Sequence, residues 1–221
     1  MAPDPDRKEI ARYLGYHGVV PDESMAKEIE YCVAELQRVA TPRFVYDRFD
    51  AESDEDSGIV RLAGLEIKSR DLAVNLHGCC AAYLMAVTLG GGPDLLIKRA
   101  SVGQMSRAVI YQAAAAAMVE AWCDEINARI LREAERDGLY PGRARFSPGY
   151  GDLPLSLQRE ISDLLQMPKE IGVSLTESLL MTPSKSVTAI VGVGREHAGQ
   201  PKGPACARCD RRETCDYRAD A

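Results

Sequence analysis

No stretch of this 221-residue chain approaches the roughly 20 consecutive apolar residues that a membrane-spanning helix requires. The opening residues, MAPDPDRKE, are charged and lack the apolar centre of a secretory signal. The chain therefore reads as a cytoplasmic protein with no membrane partner. Basic excess is also missing. With 27 Lys and Arg against 33 Asp and Glu the net charge is −6, which excludes a sequence-independent nucleic-acid binder, since such proteins carry a basic face to neutralise phosphates. Phosphate-binding spacing is absent too. The triplet Gly90-Gly91-Gly92 follows an apolar run but has neither GxGxxG spacing nor a Walker lysine, so a strand-to-helix turn is the expected reading. Histidine is scarce, with three residues, and the seven cysteines are an odd number, so reduced thiols are the default in this compartment.

What is present is ample for a buried core: 46% of residues are hydrophobic and 27% charged. Apolar spacing predicts a helix over 6–15 ending at Gly15, and a second from Asp22 or Ser24 to Pro42 with Met25, Ile29, Cys32, Val33 and Leu36 as its inner stripe. Residues 43–49 and 59–67 read as a hairpin around an exposed acidic turn at 52–56. Ser69 suits the cap of a short helix to His77, and residues 81–89 make a buried strand. Helices follow at 94–100 and 104–137. In the longer one, Met105, Ala108, Ala115, Val119, Trp122, Ile126 and Ile130 share a face. Glu120 flanks that stripe, either as a solvated edge or as a carboxylate facing a cleft. A helix over 155–165 and strands at 171–175 and 186–193 complete the pattern.

The segment 143–193 changes register several times. Arg145 lies just before a Pro148-Gly149-Tyr150 turn, which holds an arginine and a phenol close together on a stiff loop. The set Arg145-Phe-Ser-Pro-Gly-Tyr150, Ile171-Gly-Val-Ser-Leu-Thr-Glu-Ser178, Met181-x-Pro183 and Lys185-Ser-Val187 resembles the activation domain of cobalamin-dependent methionine synthase. Arg12-Tyr-Leu-Gly-Tyr16 and Ala86-Val-Thr-Leu-Gly90 look like the short, free-standing form of that domain.

The resemblance implies an α+β fold over 1–194, helical over about 1–40, with a twisted antiparallel sheet and a long central helix, and an irregular tail at 195–221. It implies binding of S-adenosylmethionine and support of the reductive remethylation of cob(II)alamin, as one component of a methyltransferase system. The cobalamin would be held by a partner, a methionine synthase lacking this domain, and a flavodoxin- or ferredoxin-like protein would supply one electron. By the same resemblance Arg145 takes the ligand carboxylate, Glu120 its amino group, Ser147 contacts it through backbone, Tyr150 lies beside it, and Glu177 belongs to the signature. Longer members carry an aromatic pattern with further tyrosines after the last strand, whereas Val187-Thr-Ala-Ile-Val-Gly-Val-Gly194 has no aromatic. That difference keeps open a second role, a corrinoid docking or redox module without the ligand.

The remaining candidates are metal ligands. His77 stands beside Cys79 and Cys80, as a ligand set or as a helix-ending turn. Cys206, Cys209 and Cys215 in the tail could hold zinc or an iron-sulfur centre with a fourth ligand from elsewhere, or be reduced thiols.

Overall fold

A computed structural model describes residues 2–16 and 18–196. The cysteines of the tail, with His17 and His197, lie outside the described residues.

The chain begins with α1 (Arg7–Tyr13), capped by the Asp6 carboxylate, and α2 (Glu23–Val39), where Asp22 rather than Ser24 accepts from Met25 N–H at 2.8 Å. β1 (Arg43–Asp54) is longer than its alternation suggests. Glu52, Ser53 and Asp54 are paired strand residues opposite Arg61, Val60 and Ile59, not an exposed turn. Cross-strand neutralisation by Arg61 lets the acidic run stay in the ladder. The true turn is 55–58, nucleated by Asp54 accepting from Ser57 Oγ at 2.7 Å and Asp56 N–H at 3.0 Å. The following strand is split. β2 (Ile59–Leu62) and β3 (Leu65–Lys68) form a hairpin because Ala63 and Gly64 both take positive φ, 54° and 78°.

Ser69 caps α3 (Arg70–Asn75) as its position suggests. β4 (Ala81–Thr88) is buried along its whole length and lies in the middle of the sheet β3-β2-β1-β4-β8-β5, antiparallel throughout. Next come α4 (Gly92–Gly103), α5 (Met105–Arg136), β5 (Tyr140–Pro141), α6 (Leu157–Leu164), α7 (Met167–Glu170), a small ribbon of β6 (Ser174–Leu175) with β7 (Met181–Thr182), and β8 (Ser186–Gly194). Residues 171–173 are not strand. Ile171 N–H still bonds back to Met167 at 3.0 Å and Gly172 takes φ 71°, so Ile171 and Val173 are buried from a helix end instead of a ladder.

The sheet lies between two apolar layers. Tyr83, Met85 and Val87, with their β8 partners, face α2 and α5; Leu84, Ala86 and Ile190 face α3, α6 and α7. Period-two alternation puts neighbouring residues on opposite faces, and helices on both sides explain why β4 and β8 read as continuous apolar runs. α5 spans the first layer, and its alanines at 113–117 admit close approach of its neighbours. Met105 departs from the expected stripe, standing exposed at the helix start. Trp122 fixes the rotation of α5 by donating its indole N–H to Arg43 O at 3.0 Å while meeting Phe44 edge-on.

Candidate functional site

Beyond β5 the chain runs alongside β8 near the edge of the sheet. Phe146 exchanges two backbone hydrogen bonds with Ile190, at 2.9 and 2.7 Å, which places Arg145 over the outward-turned flank of α5. The turn closes with Tyr150 N–H donating to Ser147 O at 3.2 Å, and Gly149 supplies the φ of 90° that the turn requires.

A carboxylate clasp fixes the far end of this loop. Asp152 accepts from Ser69 Oγ at 2.5 Å, Arg70 N–H at 2.7 Å and Asp71 N–H at 3.2 Å, so it covers the otherwise unpaired donors at the start of α3. In return Asp71 Oδ2 accepts from Asp152 N–H at 3.0 Å. These bonds, that of the Ser69 hydroxyl foremost, hold the Asp152 carboxyl below its ordinary pKa. A carboxylate depressed in the folded state stabilises fully above its unfolded pKa of about 3.9, and the contribution disappears as pH falls below that. Asp152→Asn is therefore expected to cost about 1 kcal/mol at neutral pH and to flatten the acid limb of a melting-temperature profile. An acid limb identical to that of the parent would show that the clasp does not hold the loop.

Opposite the loop, α5 presents Glu120, Asp124 and Asn127. Spacings of four and three put them on one face, one above another. The half-buried Arg145 guanidinium reaches Glu120 Oε2 at 2.6 Å and Asp124 Oδ1 at 2.5 Å. Burial opposes its charge, but the bonds and charges around it, led by Asp124, keep its pKa above the usual arginine value. Beneath this pair, burial first and the Glu120 charge second push the Cys123 thiol up to about 12. An inert packing group is the result, not a nucleophile.

A cleft of about 590 Å³ opens around the arginine, walled by Glu120, Asn127, Arg145, Ser147 and Tyr150 and floored by residues 186–188 of β8. Glu120, Arg145, Ser147 and Tyr150 thus come together. Glu177 does not join them. Its side chain is exposed outside the cleft lining, while its carbonyl accepts from Arg159 at 3.4 Å. The turn around it is held by its own hydroxyls, with Thr176 Oγ1 3.0 Å from both Ser178 Oγ and Leu180 N–H. Buried Gln158 ties that turn to the site by donating to Leu179 O at 3.0 Å.

Sequence reasoning missed Asp124, Asn127 and Gln158. The first two follow Glu120 at helical spacing, a signal that was available; Gln158 is placed only by the chain folding back. Asn127 lines the cleft, and its Oδ1 is enclosed with no hydrogen-bond partner among the described residues.

Among the described residues His77 pairs with Glu55 at 2.8 Å and joins no cluster of metal-ligating side chains. Burial raises the Cys79 thiol to about 11; the thiol packs between Gly142 and Gly192, where there is no room for a Cβ.

A family model for the activation domain of vitamin B12-dependent methionine synthase matches residues 81–218, the part of the chain that carries the cleft. Among curated proteins none matches. Among solved structures, the crystal structure of the MetH reactivation domain bound to AdoHcy is similar at a TM-score of 0.59 and 18% identity, over 84% of this chain and 75% of that one. At that identity the likeness establishes the α+β fold.

Proposed function

The chain belongs to the family of vitamin B12-dependent methionine synthase activation domains, and from that premise we propose that its cleft binds S-adenosylmethionine to support the reductive reactivation of a cobalamin-dependent methionine synthase. The observation that carries the reading is the side-by-side placement of the Arg145 guanidinium and the Glu120 carboxylate in one cleft. The amino-acid end of the ligand bears the opposite charges in the same order. The shared fold of a domain solved with AdoHcy supports it.

The residues present fit such a ligand. Arg145 offers a planar fork suited to a carboxylate, and Glu120 accepts from an ammonium. The exposed Tyr150 ring can cover an apolar or aromatic part. Arg145 must exchange its bond to Asp124 for one to the ligand. Asp124 is largely solvated, so the exchange costs little, and Glu120 remains as the partner of the ammonium.

When bound, the ligand supplies a methyl group on a sulfonium centre, activated without help from the protein. The chain's task is then to orient and shield, with position and electrostatics in place of acid–base chemistry. The corrinoid is carried by the partner, a methionine synthase without its own activation domain, and a flavodoxin- or ferredoxin-like donor provides the electron.

Calorimetric titration tests the reading. S-adenosylmethionine should bind saturably and S-adenosylhomocysteine should compete with it. No binding of either, even with the corrinoid-loaded synthase present, would sink the proposal.

A further inference from the structure

Another pocket, an open groove of about 650 Å³, lies between α1, α4 and α5, one helical turn before Glu120. Its walls are Tyr13, Ile97, Val109, Ala113 and Ala116, with Gln112 exposed at the side and Lys185 the charged residue in the lining. Lys185 enters from the residue before β8, where its carbonyl accepts from Leu89 N–H at 2.9 Å. Its alternation with Val187 sends it toward the α5 layer.

This lysine is 8% exposed, yet its ammonium has no hydrogen-bond acceptor and no ion-pair partner among the described residues. The charge that acts on it is that of Asp94, whose carboxylate is already engaged by Ser184 N–H at 2.7 Å and Ser184 Oγ at 2.6 Å. Desolvation lowers the pKa of the ammonium, and Asp94 opposes this. The stem is buried while the ammonium, which is not fully enclosed, opens into the pocket. A partly desolvated cation without a protein partner is unfavourable, and a methionine would fill the same space at no such cost. The walls are mostly apolar, with Tyr13 and Gln112 as the uncharged polar exceptions, and the Lys185 cation disfavours a positive ligand.

We propose that this groove is a second ligand site, taking a small amphipathic anion whose apolar body lies along Ala113, Ala116 and Ile97 and whose carboxylate or phosphate meets the Lys185 ammonium. The two linings share no residue, so the proposal is separate from the S-adenosylmethionine reading, although the sites are neighbours: Tyr13 of this lining feels the Glu120 charge.

The test is calorimetric titration of the full chain with octanoate, octylphosphonate, octan-1-ol and octyltrimethylammonium, with the methyl resonances of Ala113 and Ala116 followed in parallel. Octanoate or octylphosphonate should bind saturably and shift both alanines; the tighter of the two identifies the headgroup class. Lys185→Met should weaken that anion by about tenfold or more, leave octan-1-ol unchanged and melt no lower than the parent. Lys185→Arg should retain the anion. Arg145→Gln should leave its affinity intact, which separates this site from the other cleft. Equal anion binding by Lys185→Met and the parent, loss in Arg145→Gln in place of Lys185→Met, equal binding of the ammonium amphiphile, or no saturation would each overturn the proposal.

Discussion

Arg145→Ala is expected to weaken S-adenosylmethionine binding by about a hundredfold, equivalent to roughly 3 kcal/mol for removing one partner of a partly buried, charge-assisted pair. The magnitude rests on where the guanidinium sits. It is only 24% exposed, anchored beside a loop bonded to β8 through Phe146, and it faces two carboxylates of α5. Arg145→Lys should recover only part of the loss, because a point charge cannot reproduce the planar fork. The two acids beneath it should behave in opposite directions. Glu120→Gln removes the negative charge that pairs with the ligand ammonium and should weaken binding at least tenfold. Asp124→Asn removes a competitor for the arginine. Since Asp124 is 70% exposed, the pair it breaks is worth about 0.5 kcal/mol, and affinity should tighten by about twofold. Calorimetry on the four variants decides the matter. Unchanged affinity in Arg145→Ala would remove this arginine from the site.

The largest effect on stability is expected at Gly92. A Cβ there would lie 2.1 Å from the Val39 carbonyl oxygen and 2.9 Å from its carbon, both backbone at the end of α2, so neither atom can rotate away. Gly92→Ala must push α4 off α2 and should cost roughly 3 kcal/mol, lowering the melting temperature by about 6–12 °C in a domain of this size. Gly91→Ala is the control. Its φ of −78° suits any residue and a Cβ would meet nothing within 4 Å, so stability should hold or rise slightly. Equal melting temperatures for the two variants would contradict the packing. Two glycines of the triplet are thereby explained. Gly92 lets α4 lie against the end of α2, while Gly90 combines a φ of 76° with a Thr41 hydroxyl 2.2 Å from its missing Cβ. Close packing and a tight turn account for these glycines without a phosphate.

Most helices were legible in the sequence because capping and periodicity are local. Asp22 and Ser69 cap where their positions suggest, and the stripe of α5 is buried from Ala108 to Ile130, Met105 excepted. The strands were less legible. The charged end of β1 looks like a loop until Arg61 is found across the ladder, and Ile171 and Val173 look like strand although a left-handed Gly172 lies between them. Short apolar runs show burial but not the backbone hydrogen bonds that accompany it.

In the site, the sequence by itself determined the chemical inventory: an arginine before a proline-glycine turn, a carboxylate beside the core stripe of a long helix, and a motif set that resembles one family. It could not place any of these groups against another. That Glu120 and Asp124 reach Arg145, that Asp152 clasps the loop to α3, and that Glu177 turns away from the cleft depend on contacts between residues 18 to 83 positions apart. Such contacts have no periodicity to reveal them. They exist only because β8 carries the loop to the edge of the sheet that α5 covers, and only the tertiary structure decides which side chains meet there.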